Sequence, residues 1–219
     1  MAARRTQKER SEASTQRLLK AAGELVVEGG YKGMTLAAVG ERSGYSRGLV
    51  TARFGSKDKL LERLIDDITS AWGRTNILSR YRGATGLERV LIFLRAVHDR
   101  AQHEPAALRL LYALMFEALG PVPELRQRIL DFHRDQQTGL TKSVELGMRD
   151  GSILPGLSAQ AEAEMILGGV RGVAYHWCLD PERFDQVSAL ANLTAAVEQR
   201  LARPLDGAEQ TRSSMADPA

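Results

Sequence analysis

The residues best suited to chemistry lie in a short segment close to a basic N-terminus. Four polar side chains share the exposed face of a predicted two-turn helix: Ser46, Arg47, Thr51 and Arg53. An arginine can donate two hydrogen bonds to O6 and N7 of guanine, or it can clamp a phosphate. This pattern predicts a helix that contacts DNA, and the alternative interpretation is a face that meets only solvent.

Local signals delimit the helices around this face. Thr35 is the predicted N-cap of one helix, and Gly44 after it permits a left-handed turn that a side chain would oppose. Ser46 then caps the second helix, Gly55 ends it, and Ser56 caps a third. Two short helices around a tight turn are typical of a helix-turn-helix, although glycine-turned helix pairs also occur in other all-helical proteins.

Charge is divided unevenly along the chain. Residues 1–60 hold twelve Lys or Arg residues against six Asp or Glu residues, whereas the whole chain has a formal net charge of only +3. The remaining residues are therefore net acidic. This partition predicts that only the N-terminal part is suited to bind phosphate.

Apolar residues elsewhere recur at helical spacing, and no strand pattern of any length is present. The sequence therefore predicts an all-α fold of about nine helices, a three-helix DNA-binding domain followed by a helical bundle. Its predicted parts are a flexible basic arm over residues 1–13, a helix-turn-helix domain over 14–60, a ligand-binding and dimerisation domain over 61–203 and a disordered tail over 204–219.

Composition argues against several other functions. Cys178 is the single cysteine, which excludes an intrachain disulfide and suits a reducing cytoplasm. The first residues lack the apolar core of a secretory signal, and no apolar run is long enough to span a membrane. The four histidines form no metal-ligand or nucleophile motif with Cys178. We therefore expect a cytoplasmic, non-enzymatic protein without cofactors.

Residues from about 15 to 61 resemble the N-terminal domain of the TetR (tetracycline-repressor) family of bacterial transcriptional regulators. The runs over residues 43–48 and 54–57 are the most specific parts of this resemblance. The family's recognition helix commonly carries an aromatic residue where this chain has Thr51, and frequently His where it has Arg53. The resemblance implies a homodimeric repressor that a small, largely apolar effector releases from a palindromic operator.

DNA contacts are expected from the second helix, from its flanks and from the arm. Arg4 and Arg5 of the arm have two interpretations: they enter a minor groove, or they belong to a solvated, disordered segment. Tyr45 has two interpretations, since its ring can brace the core while its hydroxyl reaches phosphate. The predicted DNA-binding residues are Arg4, Arg5, Thr35, Tyr45, Ser46, Arg47, Gly48, Thr51, Arg53 and Lys57.

The bundle is expected to bind the effector among its middle helices and a second copy through its last two. The predicted effector contacts are Leu91, Leu94, His98, Leu111, Met115, Phe116, Phe132, Gln136 and Trp177. The predicted dimer contacts are Ile166, Val170, Val173, Val187, Leu190, Leu193 and Val197. For both sets the alternative interpretation is ordinary core packing within one chain.

Two other functions remain open from the sequence. The basic domain of a helical interaction protein would bind an acidic protein, and its affinity for DNA would show no sequence preference. An enzyme using a bundle pocket would lose turnover when one polar residue, such as His98, is replaced.

Overall fold

The computed structural model describes residues 7–202, and these form nine α-helices and no β-strand. The predicted all-α class is confirmed. None of the described helices is long and apolar enough to cross a membrane. In chain order the helices are α1 (Gln7–Gly33), α2 (Leu36–Ser43), α3 (Arg47–Phe54), α4 (residues 57–76), α5 (Gly86–His103), α6 (Pro105–Glu117), α7 (Pro123–Asp150), α8 (Ala159–Leu179) and α9 (Gln186–Leu201).

The beginning of α1 differs from the flexible arm predicted over residues 1–13. The chain is already helical at Gln7, because Arg53 from α3 donates hydrogen bonds to the hydroxyl groups of Ser11, Ser14 and Thr15. These bonds attach the first turns of α1 to the domain. Two predicted features lie outside the described residues: the arginines Arg4 and Arg5 and the tail over 204–219.

Helix α4 changes its hydrogen-bonding pattern midway. It is α-helical over Lys57–Asp66, π-helical over Asp67–Ala71 and α-helical again over Trp72–Asn76. Ile68 in the π-helical turn belongs to the core of the N-terminal helices, whereas Trp72 packs on the core of the bundle. The irregular turn therefore lies where α4 passes from one core to the other, and such turns often mark functional sites.

The two cores do not divide at residue 60. The N-terminal core combines α1 to α4 with buried side chains of α6 and of the first turns of α7, among them Leu114 and Leu125. The C-terminal core joins α5, the rest of α7, α8 and α9 with Leu108 and Tyr112 of α6, and Met115 of α6 packs against both cores. The parts predicted over 14–60 and 61–203 are thus held together by shared packing.

Helices α5 and α7 cross at very short range. A Cβ atom at Gly86 of α5 would lie only 1.9 Å from the Gly147 nitrogen of α7. The Asp150 carboxylate, at the end of α7, accepts a hydrogen bond of 2.8 Å from the Gly86 N–H. This contact fixes the angle between two helices that together line a cavity in the bundle.

Candidate DNA-binding surface and effector cavity

The turn between α2 and α3 follows the predicted capping pattern. The Thr35 hydroxyl accepts a hydrogen bond of 3.1 Å from the Ala38 N–H. The Ser46 hydroxyl accepts one of 3.2 Å from the Leu49 N–H. Between the helices Gly44 adopts φ 76° and ψ 22°, the left-handed conformation that glycine tolerates best. The predicted helix-turn-helix is therefore confirmed.

Helix α3 turns an apolar side to the core and a polar side to solvent. Val50 is fully buried and Phe54 nearly so. Within the described residues, the Arg47 side chain has no hydrogen bond or ion pair. Its guanidinium is therefore available to a phosphate or a guanine edge. The N-cap and the helix together present five exposed positions: Ser46, Arg47, Gly48, Thr51 and Ala52.

Arg53 does not share this exposed face. It is half-buried, and its Nη1 donates to the carbonyl and hydroxyl oxygens of Ser11 and to the Thr15 hydroxyl. Its Nη2 donates to the Ser14 hydroxyl. A guanidinium with these partners has few donors left for DNA. In the structure Arg53 therefore has an intramolecular role in place of the predicted DNA contact. Helical spacing alone could not reveal that the start of α1 covers this side chain.

The flanking residues predicted to contact DNA differ in their surroundings. Thr35 is exposed, whereas Tyr45 is half-buried and packs against the N-terminal core. The Lys57 Nζ lies 3.9 Å from the centroid of the Tyr31 ring, and burial there lowers the pKa of Lys57. Tyr45 and Lys57 thus contribute to packing within the domain, while Thr35 extends the accessible surface formed by α3.

A cavity of about 450 Å³ lies between α4, α5, α6, α7 and α8. This volume is within the range of small-molecule sites in proteins. Its wall is largely apolar and aromatic, with Trp72, Phe93, Leu108 and Leu140 among its side chains. We call it the central cavity. Four of the residues predicted to contact an effector line it: Leu111, Met115, Phe132 and Gln136.

The other five predicted effector contacts lie outside the central cavity wall: Leu91, Leu94, His98, Phe116 and Trp177. Phe116 is 41% exposed, and its ring packs edge-on against Tyr175, with 5.9 Å between centroids. The His98 Nδ1 lies 3.4 Å from an Asp99 carboxylate oxygen near the surface. The three remaining side chains are buried. Helical periodicity indicates which residues share a face, but not which neighbouring element covers that face.

Three arginines line the cavity and none of them was predicted; Arg74 is exposed, whereas the other two are shielded from solvent. Arg100 of α5 and Arg171 of α8 both line it. Each continues an apolar stripe on its own helix: Arg100 follows Val97 by three residues, and Arg171 follows Leu167 by four. Val97 and Leu167 also line the cavity. A charged residue at such a position needs a polar partner, and this was the signal in the sequence that could have identified both.

Arg100 links the cavity wall to the π-helical turn of α4. Its side chain is almost fully buried, and its Nη1 donates a hydrogen bond of 2.7 Å to the Ile68 carbonyl oxygen. Its guanidinium carbon lies 4.5 Å from the centroid of the Trp72 ring. Burial lowers the pKa of Arg100. A molecule that moves Arg100 therefore also changes a contact with α4, the helix that follows α3.

The residues predicted to form a dimer interface face the interior of their own chain. Four of them belong to the C-terminal core: Ile166, Val170, Leu190 and Val197. The other three are half-buried and pack against it: Val173, Val187 and Leu193. These side chains attach α8 and α9 to the bundle, so the expected interface cannot be built from the four that are fully buried.

The opposite side of α8 is apolar and exposed. Met165, Tyr175 and Leu179 are 41%, 49% and 69% exposed, respectively. Together with small residues they recur at alternating spacings of three and four, which places them on one helix face. We call this the outer face of α8, and it consists of Ala161, Met165, Gly168, Gly172, Tyr175 and Leu179. Contiguous exposed apolar residues of this kind mark interaction sites.

Sequence models of two protein families match the chain. The model described as "Bacterial regulatory proteins, tetR family" matches residues 18–64. The model described as "BetI-type transcriptional repressor, C-terminal" matches residues 86–202, which is more than half of the chain. Among curated proteins, none matches this sequence.

Several solved structures are similar over most of the chain. A TetR-family transcriptional regulator from Agrobacterium tumefaciens has a TM-score of 0.74 at 17% identity, covering 88% of this chain and 100% of its own. NalD, the secondary repressor of the MexAB-OprM multidrug efflux pump in Pseudomonas aeruginosa, has 0.70 at 21%, covering 89% and 99%. The SmeT-triclosan complex has 0.74 at 17%, covering 89% and 93%. At these identities the similarity shows the fold.

Proposed function

Because the chain belongs to the TetR family of bacterial transcriptional regulators, we propose that it is a homodimeric repressor that leaves its operator when a small, largely apolar effector occupies the central cavity. It is a DNA-binding regulator by family. The observation that carries the proposal is the course of α4, which begins just after α3 and contributes Trp72 to the cavity wall. We further propose that it acts in the cytoplasm and catalyses no reaction.

DNA binding is assigned to α3 and its N-cap. The exposed Ser46 and Thr51 flank an Arg47 whose guanidinium has no partner within the described residues. The two α3 helices of a dimer would enter successive major grooves about one helical turn apart, since that is how paired helix-turn-helix domains read palindromic sites.

Dimerisation is assigned to the outer face of α8 together with the exposed small residues of α9. Ala191, Ala195 and Ala196 of α9 are all exposed. Small residues on adjacent helices permit close approach, so two copies would form a four-helix bundle. The proposed interface therefore lies on the outward-facing sides of α8 and α9, opposite the inward-facing side chains that the sequence predicted.

Effector response is assigned to the contact between the central cavity and α4. An effector that binds more tightly to a conformation in which α4 has shifted would increase the population of that conformation and change the spacing of the two α3 helices. SmeT, one of the structurally similar proteins, has been solved in complex with a small molecule, triclosan.

The test is selection of duplexes from a random pool by the purified full-length chain, followed by sequencing. We expect an inverted repeat whose half-sites are about one helical turn, or 10 base pairs, apart. Recovery of duplexes without a shared sequence would contradict the proposal and favour a basic domain that binds polyanions without specificity.

A further inference from the structure

Two cations in the wall of the central cavity are incompletely paired. The Arg100 Nε makes no hydrogen bond, and its nearest acidic oxygen is that of Glu104 at 3.7 Å. The Glu104 side chain is itself 52% exposed and outside the cavity wall. Among the described residues, Arg171 forms no ion pair and donates only a long hydrogen bond of 3.4 Å to Gln136.

These guanidinium groups are desolvated but remain charged. Burial lowers the pKa of both Arg100 and Arg171 from the ordinary arginine value, which is too high for either to lose its proton near neutral pH. Buried charges in proteins are normally paired or hydrogen-bonded, because desolvation without a partner is costly. Two incompletely paired cations in one cavity therefore favour an anion among them.

Both arginines line the same cavity as the Tyr112 side chain. Both guanidinium groups lie near enough to Tyr112 to lower the pKa of its hydroxyl, although burial raises that pKa by more. Tyr112 is only 5% exposed and also lines the cavity. The cavity wall thus includes a buried phenol and two cations that are shielded from solvent, whereas most of the remaining wall is apolar.

We propose that the effector of the central cavity is an amphipathic anion whose carboxylate binds between Arg100 and Arg171. Its apolar body lies along the aromatic and aliphatic wall, which includes Trp72, Phe93 and Leu111. This inference rests on the proposed function, in which the same cavity receives an effector. A carboxylate accepting from Arg100 also engages the residue that holds the Ile68 carbonyl of α4.

A cationic effector fits the same wall poorly. The other charged side chains that line the cavity are Arg74 and Asp135, and both are exposed to solvent. A cation would therefore find a single, solvated carboxylate and would have to bring its charge close to the buried Arg100 and the half-buried Arg171.

The experiment is calorimetric titration of the full-length protein with three ligand classes of equal chain length, each below its micellar concentration. The anions are octanoate, decanoate and dodecanoate, the neutral probes are the corresponding primary amides, and the cations are the corresponding alkyltrimethylammonium ions. We expect the best carboxylate to bind at least about tenfold more tightly than its amide, as a charge-assisted hydrogen bond allows.

Variants of Arg171 test whether this side chain causes the preference for a carboxylate over an amide. Arg171→Gln should remove the preference for carboxylate over amide while amide binding persists, and Arg171→Lys should restore part of it. The control is Arg95→Gln, which removes an exposed charge from α5 outside the cavity wall. If Arg95→Gln reduced the preference for carboxylate as much as Arg171→Gln, the preference would arise from net charge and the inference would be overturned.

The outcomes separate this inference from the proposed function. Equal affinity for carboxylate and amide, or tighter binding of the cation, would overturn the anion assignment while leaving an effector cavity in place. If no probe of any class bound, both the anion assignment and the effector role of the cavity would be contradicted.

Discussion

Arg47 and Arg53 lie on the same two-turn helix but have different partners. Arg47 is exposed and has no partner within the described residues, whereas Arg53 is half-buried against α1. The same residue type therefore serves DNA binding at one position, according to our proposal, and domain packing at the other.

Replacing Arg53 with Met should loosen the start of α1. The variant loses the hydrogen bonds to Ser11, Ser14 and Thr15 while keeping a long apolar stem. We expect the free energy of unfolding to fall by about 1–3 kcal/mol, and amide hydrogens around residues 11–18 to exchange faster. Exchange rates unchanged from those of the parent protein would rule out this role for Arg53.

Asp150 predicts a pH dependence with a defined sign. Hydrogen bonds from the Ser152 side chain and from the Gly86 and Ser152 N–H groups hold the pKa of this carboxyl below its ordinary value. Its stabilisation is therefore present above the unfolded-state pKa of about 3.9 and is lost as pH falls through the lower folded-state pKa.

The variant Asp150→Asn imitates the protonated carboxyl and provides the measurement. Its melting temperature should lie below that of the parent protein at neutral pH, and the two should converge as the pH falls below about 4. A difference that stays constant across this range would show that the charge of Asp150 does not stabilise the fold.

At the scale of elements, the caps of the helices could be predicted from the sequence, but which side of each helix is buried could not. Thr35 and Ser46 bond to N–H groups three residues along the chain, so the residues that decide these caps are adjacent in sequence. The orientation of α8 depends on which distant helices cover it. Ile166 and Met165 are sequence neighbours of similar polarity, yet one is fully buried and the other 41% exposed.

The α5–α7 crossing should tolerate no side chain at Gly86. In Gly86→Ala the Cβ would lie 1.9 Å from the Gly147 nitrogen and 2.3 Å from its Cα, so the helices would have to separate. We expect thermal unfolding to show a loss of about 3 kcal/mol, at the upper end of overpacking costs.

The matched control for this crossing is Gly139→Ala, also within a helix. A Cβ there would meet nothing within 4 Å, and the substitution should raise helix propensity by up to about 1 kcal/mol. Equal destabilisation by both substitutions would contradict the close crossing, since it would show that the cost arises from glycine replacement in general.

At the scale of the whole molecule, several connections cross between the two cores. Helix α4 passes through both, and α6 packs against α1 to α4 while contributing to the cavity wall. The Tyr31 N–H also donates a hydrogen bond of 2.6 Å to the Glu117 carboxylate of α6. A change in the central cavity can therefore reach the DNA-binding helices through two helices.

The outer face of α8 predicts the effect of a charge at its centre. Gly172→Glu should abolish dimerisation, because a carboxylate buried there without a partner would be strongly destabilising. Sedimentation equilibrium should then report the monomer mass of 24.1 kDa. Gln102→Glu, an exposed change on α5, should remain dimeric. If the Gly172→Glu variant remained dimeric, the interface would have to lie on another surface.

The role of α3 in DNA binding can be tested by measuring the affinity of Arg47→Ala for the selected operator duplex by fluorescence anisotropy. The control is Arg42→Ala, which removes the same charge from the same domain but from an arginine paired with Glu28 at 2.7 Å. We expect Arg47→Ala to weaken binding at least about tenfold and Arg42→Ala to have a much smaller effect. Unchanged affinity at Arg47→Ala, or equal losses in both variants, would contradict the assignment of α3 as the DNA-reading helix.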